Sequence, residues 1–363
     1  MNVAAPPVDL LALTAELVGI PSVSRSERRL ADHTEAWCAG HQWLETHRIG
    51  DNVVARTTGG RTMRLLVAGH LDTVPPDGNS DAILAGDRVT GLGAADMKGG
   101  LAVMMALAAA SRSPAVDVTY VWYAAEEIAR EHSGLLEVAE ARPDLLAADA
   151  AVLGEPTGAV PEAGCQGTMH LRVTLAGRRA HTARPWMGSN AIHRLGHLLE
   201  VLRAYQPRRP VIDGCAFGEA LQATSVSGGV ARNVVPDEVA LVLNHRFAPD
   251  RTPQEAEDHV RELLAGHLTD GDSVEVLETA PAAAPHLDHP LLASIVEAGG
   301  GPGAVRAKLG WTDAAFFAER GVPALNFGPG DAELAHTAGE YVTRDSLETV
   351  YEALAAVIFG AAR

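Results

Sequence analysis

Leu65-Leu66-Val67-Ala68-Gly69-His70-Leu71-Asp72 is an apolar run that stops on a histidine and an aspartate. Four consecutive apolar residues without alternation read as a strand covered on both faces. The pattern recurs. Val118 to Ala124 runs into Glu126-Glu127, and Ala150 to Leu153 into Gly154-Glu155. Pro323 to Phe327 runs into Gly328-Pro329-Gly330 and, a little later, His336. Helical patterns lie between these runs, the clearest from Gly100 to Ala110. At the start, Asp9 precedes Leu10, Leu13, Leu17 and Val18 at helical spacing, stopped by Pro21. Strands alternating with helices predict an α/β fold with a sheet covered on both faces. The polar residues fall just past the strand ends, where such sheets build their sites.

The middle of the chain reads differently. His170 to Leu175 and Val239 to Leu243 are β segments flanking a helical stretch from Asn190 to Arg203. Thr252-Pro253-Gln254-Glu255 then opens a further helix as a capping box. This order predicts a small α+β module inserted at residues 168–281. The larger domain would be built from residues 1–167 and 282–363. A chain of 363 residues suits such a division better than one core.

The net charge of −17 argues against nucleic acid or an anionic membrane as partner, since both need a basic face. It also means that an anionic substrate would need a local cationic pocket. Cys38, Cys165 and Cys215 stand apart with no CxxC pair, as reduced thiols in a cytosolic protein would. No basic stretch followed by an apolar one opens the chain, and Leu101 to Ala110 is too short for a membrane span. A soluble cytoplasmic protein is expected.

Taken singly, Glu126-Glu127 could be a solvated loop and Asp96 a helix cap before Met97-Lys98-Gly99-Gly100. Recurrence at the ends of four strands favours chemistry. Histidines and carboxylates in this mixture suit Zn²⁺. Two such ions need a shared carboxylate to sit about 3.5–4 Å apart. Asp96, among Gly91, Gly93 and Gly99, is placed for that. Asp72 lies two residues after His70 and can orient its imidazole. Of adjacent Glu126 and Glu127, one can ligate while the other handles protons.

Gly69-His70-Leu71-Asp72-Thr73-Val74-Pro75, Gly91 to Gly100, Ala125-Glu126-Glu127 and Gly154-Glu155-Pro156-Thr157 resemble the signature of the M20 metallopeptidase family. Ala180 to Pro185, Gly188 to Ala191 and Arg232 to Pro236 continue the likeness through the module, so it spans about residues 10 to 345. The resemblance implies a di-zinc aminopeptidase-like catalytic domain with an inserted dimerisation (lid) domain. It implies that His70 and Glu155 hold one zinc, Glu127 and His336 the other, and that Asp96 bridges them. Two Zn²⁺ per subunit are expected, with Co²⁺ as a possible substitute. A metal-bridging water would be the nucleophile, Glu126 the general base and Asp72 the support of His70. The family usually carries a cis peptide after the bridging aspartate, here Asp96-Met97. His181 resembles the family histidine that donates to the developing oxyanion, often from the other subunit of a homodimer. The dimer is expected through residues 168–281, by an edge strand.

Within the family, Gly164 to Thr168, Leu309 to Asp313 and Asn326 to Gly330 resemble desuccinylases of the high-GC Gram-positive type. That implies a small anionic N-acyl amino acid, N-succinyl-LL-2,6-diaminopimelate, as substrate. Arg246 and Asn233 match the family's substrate-binding pair, and Thr312 falls in the Gly-Trp-Thr-Asp segment. Better-known desuccinylases carry Arg-Arg-Gly-Ser where this chain has Cys165-Gln166-Gly167-Thr168, so one arginine is missing and Arg184 is the candidate replacement. The competing readings are an acetylornithine deacetylase or general aminoacylase, and a non-catalytic metal-binding homologue.

Overall fold

Leu65 and Val67 face one side of the strand Arg64–His70, and Leu66 and Ala68 the other. All four are fully buried in the computed structural model, which describes residues 5–360. Burial on both faces is what an apolar run without alternation requires. The strand sits near the middle of an eight-stranded sheet. Asp117–Tyr123, Arg64–His70, Ala150–Leu153 and Ala324–Asn326 lie side by side and parallel. His70 pairs with Tyr123, and Leu153 with Asn326, so their C-terminal ends share one sheet edge. Around this parallel centre the sheet is mixed: Asn52–Arg56 and Glu162–Ala163 pair antiparallel with it.

The helix Leu10–Val18 starts at Asp9, whose carboxylate accepts the N–H groups of Leu11 and Ala12. Gly99–Ala110 is apolar all round and buried on every side from Gly99 to Ala108. Both helices, with Arg344–Phe359, share one core with Leu65, Val67, Tyr120, Trp122 and Val152. A Cβ on Gly100 would stand 2.4 Å from the Gly154 carbonyl oxygen, and one on Gly328 only 2.2 Å from the same atom. Glycine at both positions lets a helix start and a turn close on the backbone that leads into Glu155.

The chain forms two compact units. The first comprises the described residues of Met1–Ala163, Pro285–Arg306 and Phe316–Arg363, and the second Gly164–Ala284 and Ala307–Ala315. The second unit holds a four-stranded antiparallel sheet, in the order Ala220–Gly228, Glu238–Phe247, Gly167–Ala176, Ser273–Ala280. Helices Ala191–Ala204 and Pro253–Ala265 contribute Leu195, Leu198, Val260 and Leu264 to a core with Leu171 and Val173. Residues alternate between buried and partly open along Gly167–Ala176, as on a sheet covered on one face. The capping box forms as read: Thr252 and Glu255 exchange side-chain to main-chain bonds. The edge strand Ala220–Gly228 is exposed from Gln222 onward. Among the described residues no helix is long and apolar enough to cross a membrane, and Cys38, Cys165 and Cys215 are free and buried.

Asp272 ties this unit together. Its side chain, without solvent exposure, accepts from Arg194, from the N–H groups of Ala176 and Thr269, and from the Thr269 hydroxyl. Burial opposes the charge, but these donors hold the carboxyl well below its ordinary range. A depressed folded-state pKa stabilises the fold above the unfolded value, about pH 3.9 for aspartate, and the contribution fades as pH falls further. Asp272→Asn should therefore cost about 1–3 kcal/mol at neutral pH. Thermal melts of variant and parent should converge on acidification; a gap unchanged below pH 3.9 would refute the assignment.

Candidate active site

The parallel strands deliver His70, the Glu126-Glu127 loop and Glu155 to one sheet edge. His70 is buried, and its Nδ1 donates to the main-chain carbonyl of Asp72 at 3.0 Å. The Asp72 carboxylate stands farther off, at 3.6 Å. That tether leaves Nε2, 3.1 Å from Asp96 Oδ1, as the ring atom able to meet a cation. The support expected of Asp72 thus comes mainly from its backbone. Its carboxylate serves another purpose: it accepts the N–H groups of Glu126 and Glu127, each at 3.0 Å, and the Ser24 hydroxyl at 2.8 Å. Burial works against this charge, yet His70 and the two N–H groups hold its pKa below the usual value.

Asp96 lies in the irregular turn Ala94–Lys98, and its peptide bond to Met97 is cis. Its two oxygens face different imidazoles. Oδ1 is 3.1 Å from His70 Nε2, and Oδ2 is 3.4 Å from His336 Nε2. His336 Nε2 also lies 2.9 Å from Glu127 Oε1. His70, Asp96 and Glu127 offer ligand atoms all within 4.8 Å of one another. Burial raises the Asp96 pKa, but the two imidazoles outweigh it and the net shift is downward. The carboxylates reciprocate. The hydrogen bonds that His336 donates to Asp96 and Glu127 raise its pKa to about 10, and His70 is raised against its own burial by Asp72 and Asp96. The pocket is strongly negative, the potential that a divalent cation would meet. One nitrogen and a shared carboxylate on each side fit two such ions of borderline N/O preference.

The backbone here is constrained. Ala125, just before the two glutamates, and His336 both have φ of 61°. Left-handed conformation in non-glycine residues persists only where surroundings impose it. The surroundings at Ala125 are Glu27, whose Oε1 accepts its N–H at 3.1 Å. At the Asp96 turn they are Glu340, whose Oε1 accepts from Ala95 and Asp96 at 2.9 and 3.0 Å. Glu27 and Glu340 are each 1% exposed. Burial raises both pKa values, opposed by the N–H groups they hold. Sequence reasoning missed both, and Ser24 as well. Glu27 sits in the polar run Ser24-Arg25-Ser26-Glu27-Arg28-Arg29, which reads as a solvated face. Nothing local marks Glu340 beyond its place four residues after His336.

The remaining candidates belong to the second unit. His181 and Asn233 are brought together: His181 bridges Val234, and the Thr182 N–H donates to the Asn233 carbonyl at 3.1 Å. His181 Nδ1 accepts the Ala183 N–H at 3.0 Å, which places the proton of the neutral ring on Nε2. Arg184 lies on the following exposed turn. Arg246, near the end of Glu238–Phe247, donates from Nε to Asn244 Oδ1 at 3.2 Å. It is half-buried, and among the described residues it has no ion-pair partner. Thr312 is buried, with its hydroxyl 3.4 Å from the Ala314 N–H.

Peptidase family M20/M25/M40 matches residues 66–359. A putative succinyl-diaminopimelate desuccinylase of Mycobacterium tuberculosis is 48% identical, over 92% of this chain and 93% of its own. A succinyl-diaminopimelate desuccinylase of Corynebacterium glutamicum is 41% identical, over 92% and 91%. An acetylornithine deacetylase of Myxococcus xanthus is 29% identical, over 82% and 80%. Among solved structures, aminopeptidase PepT of Bacillus cereus superposes with a TM-score of 0.79 at 19% identity, covering 98% of each chain. A dinuclear metal-binding M20 peptidase of Bacillus subtilis gives 0.68 at 17%, covering 96% of each. At those identities the two structures speak for the fold.

Asp72→Asn tests the local geometry. The Glu126 and Glu127 N–H groups go to different oxygens of Asp72, so an amide would set its own N–H₂ against one of them. The variant should fold but lose about 10–100-fold in kcat/KM or cation affinity. Kinetics and calorimetric cation titration at parental values would refute this reading of Asp72.

Proposed function

The chain belongs to peptidase family M20/M25/M40, and we propose that it hydrolyses N-succinyl-LL-2,6-diaminopimelate to succinate and LL-2,6-diaminopimelate. The observation that carries the reaction class is Asp96, with one carboxylate oxygen against each of two imidazoles. The substrate rests on the relatives from Mycobacterium and Corynebacterium, which align over nine-tenths of both chains and far exceed the acetylornithine deacetylase in identity.

In this reading His70 and Glu155 hold one divalent cation, Glu127 and His336 the other, and Asp96 both. When bound, the cations acidify water and polarise the amide carbonyl; zinc suits the donors best, with cobalt a workable substitute. Glu126 takes the part of the general base. Its main chain is fixed by Asp72, so its carboxylate can take a proton from the attacking water and carry it to the leaving amine. One C–N bond breaks, one C–O bond forms, and the amine leaves with that proton. His181 would donate from Nε2 to the developing oxyanion, the other nitrogen being occupied by Ala183. Arg246, half-buried and among the described residues without an ion-pair partner, would grip a substrate carboxylate. Asn233, which lies with His181 at the other end of the strand Glu238–Phe247, and Arg184 and Thr312 would be further contacts. We read the protein as a cytoplasmic homodimer paired through the second unit, whose exposed edge strand Ala220–Gly228 offers unpaired main-chain groups.

Glu126→Gln should lower kcat by about 10²–10⁴-fold and leave cation content at the parental level. Undiminished turnover would remove Glu126 from the role of base. For the substrate, metal-loaded protein should release succinate from N-succinyl-LL-2,6-diaminopimelate far faster than acetate from N-acetylornithine. The reverse preference would overturn the desuccinylase assignment and leave the hydrolase assignment standing.

A further inference from the structure

Glu340 has no place among the ligands or the base, yet it is a carboxylate almost removed from solvent beside a pocket already crowded with negative charge. Such a group is retained only where it is fully engaged. One oxygen accepts two successive main-chain donors, Ala95 at 2.9 Å and Asp96 at 3.0 Å. Its own backbone is tied as well. The Glu340 carbonyl accepts the Gly91 N–H at 3.0 Å, and the Glu340 N–H donates to Thr337 at 3.2 Å, one residue past His336. The strand that follows, Tyr341–Thr343, pairs with Arg88–Thr90. Glu340 therefore stands at the junction of two segments, the Asp96 turn and the turn that carries His336 in left-handed backbone.

Resting on the dimetal reading above, we propose that Glu340 is a positioning residue. It fixes the main chain of Asp96 against the His336 turn, so that the two Asp96 oxygens straddle His70 and His336. An irregular turn leaves N–H groups without helical partners, and a turn whose donors are unclaimed has no single conformation. Here the donors of Ala95 and Asp96 converge on one oxygen, which fixes the peptide planes and hence the direction of the Asp96 Cα–Cβ bond. Distances of 3.1 and 3.4 Å to two different rings depend on that direction. What matters on this account is a carbonyl-type oxygen at the right reach, more than a negative charge.

Three variants separate these demands. Glu340→Gln keeps the reach and an acceptor oxygen for Ala95 and Asp96. Glu340→Asp keeps the charge but falls one methylene short. Glu340→Ala removes both. Each would be prepared metal-free, melted thermally, titrated calorimetrically with Zn²⁺, and loaded with Co²⁺ for its visible absorption. Kinetics would be taken on the loaded forms. We expect Glu340→Gln to bind both cations within about fivefold of the parent, with the parental cobalt spectrum. Glu340→Asp should bind at least tenfold more weakly, with an altered spectrum and a loss in kcat larger than any change in KM. If Glu340→Ala folds it should behave like the aspartate variant; if it does not, the glutamine and aspartate variants decide. The inference is overturned if Glu340→Asp binds like the parent, or if the variants lower only the melting temperature of the metal-free protein. A parent that takes up fewer than two cations would overturn the dimetal reading and this inference together. A parent that takes up two, matched by Glu340→Asp, overturns this inference alone.

Discussion

The carboxylate of Asp72 has no solvent exposure, and the arrangement of the site depends on how that charge is satisfied. Leaving such an ion unpaired would cost several kcal/mol. It is met by two main-chain N–H groups and a hydroxyl, each bond to a charged group contributing about 1.5–3 kcal/mol. The bonds that stabilise Asp72 are the same bonds that fix Glu126 and Glu127 beside His70. Stability and placement are one interaction seen from two ends. Glu27 treats the Ala125 N–H in the same way, and Glu340 those of Ala95 and Asp96. Three buried carboxylates thus hold, through backbone, the loops whose own carboxylates face the histidines.

This concentration of negative charge shapes the electrostatics. His336 is raised to about 10 and Asp96 pulled down, so the pocket is organised around a demand for positive charge. An anionic substrate entering a chain of net charge −17 therefore needs cations of the protein's own. Arg246, in the second unit, is a cation of that kind. It is half-buried, and Asn244 orients its fork without neutralising it.

The fold was legible where local pattern decides it. The strands Arg64–His70, Asp117–Tyr123, Ala150–Leu153 and Ala324–Asn326 begin and end within a residue or two of their apolar runs, and the Asp9 and Thr252 caps form as read. The antiparallel flanks were not legible. Asn52–Arg56 and Glu162–Ala163 take their direction from neighbours far away in sequence, and periodicity carries no sign of direction. The same division runs through the site. His70, Glu127, Asp96 and His336 stand out because they follow strands or glycines. Glu27 and Glu340 do not, because an acidic residue that holds main-chain donors looks in sequence like one that faces water. The placement of Ala307–Ala315 in the second unit rests on contacts such as the Gln166 N–H to the Lys308 carbonyl, which no local pattern announces.

Gly100 and Gly328 approach the Gly154 carbonyl from two directions, and neither position has space for a single carbon. The main chain leading into Glu155 is therefore closely held by the backbone at Gly100 and Gly328, with the Met97 side chain against Gly154. A change of chemical appetite at this centre, towards a larger ion or another coordination number, cannot be reached by easing that segment outward. It has to come from side-chain exchange on a frame that does not yield. For anyone evolving such a centre, the useful library lies in the residues that point into the pocket. Any side chain at either glycine would have to displace the Gly154 carbonyl.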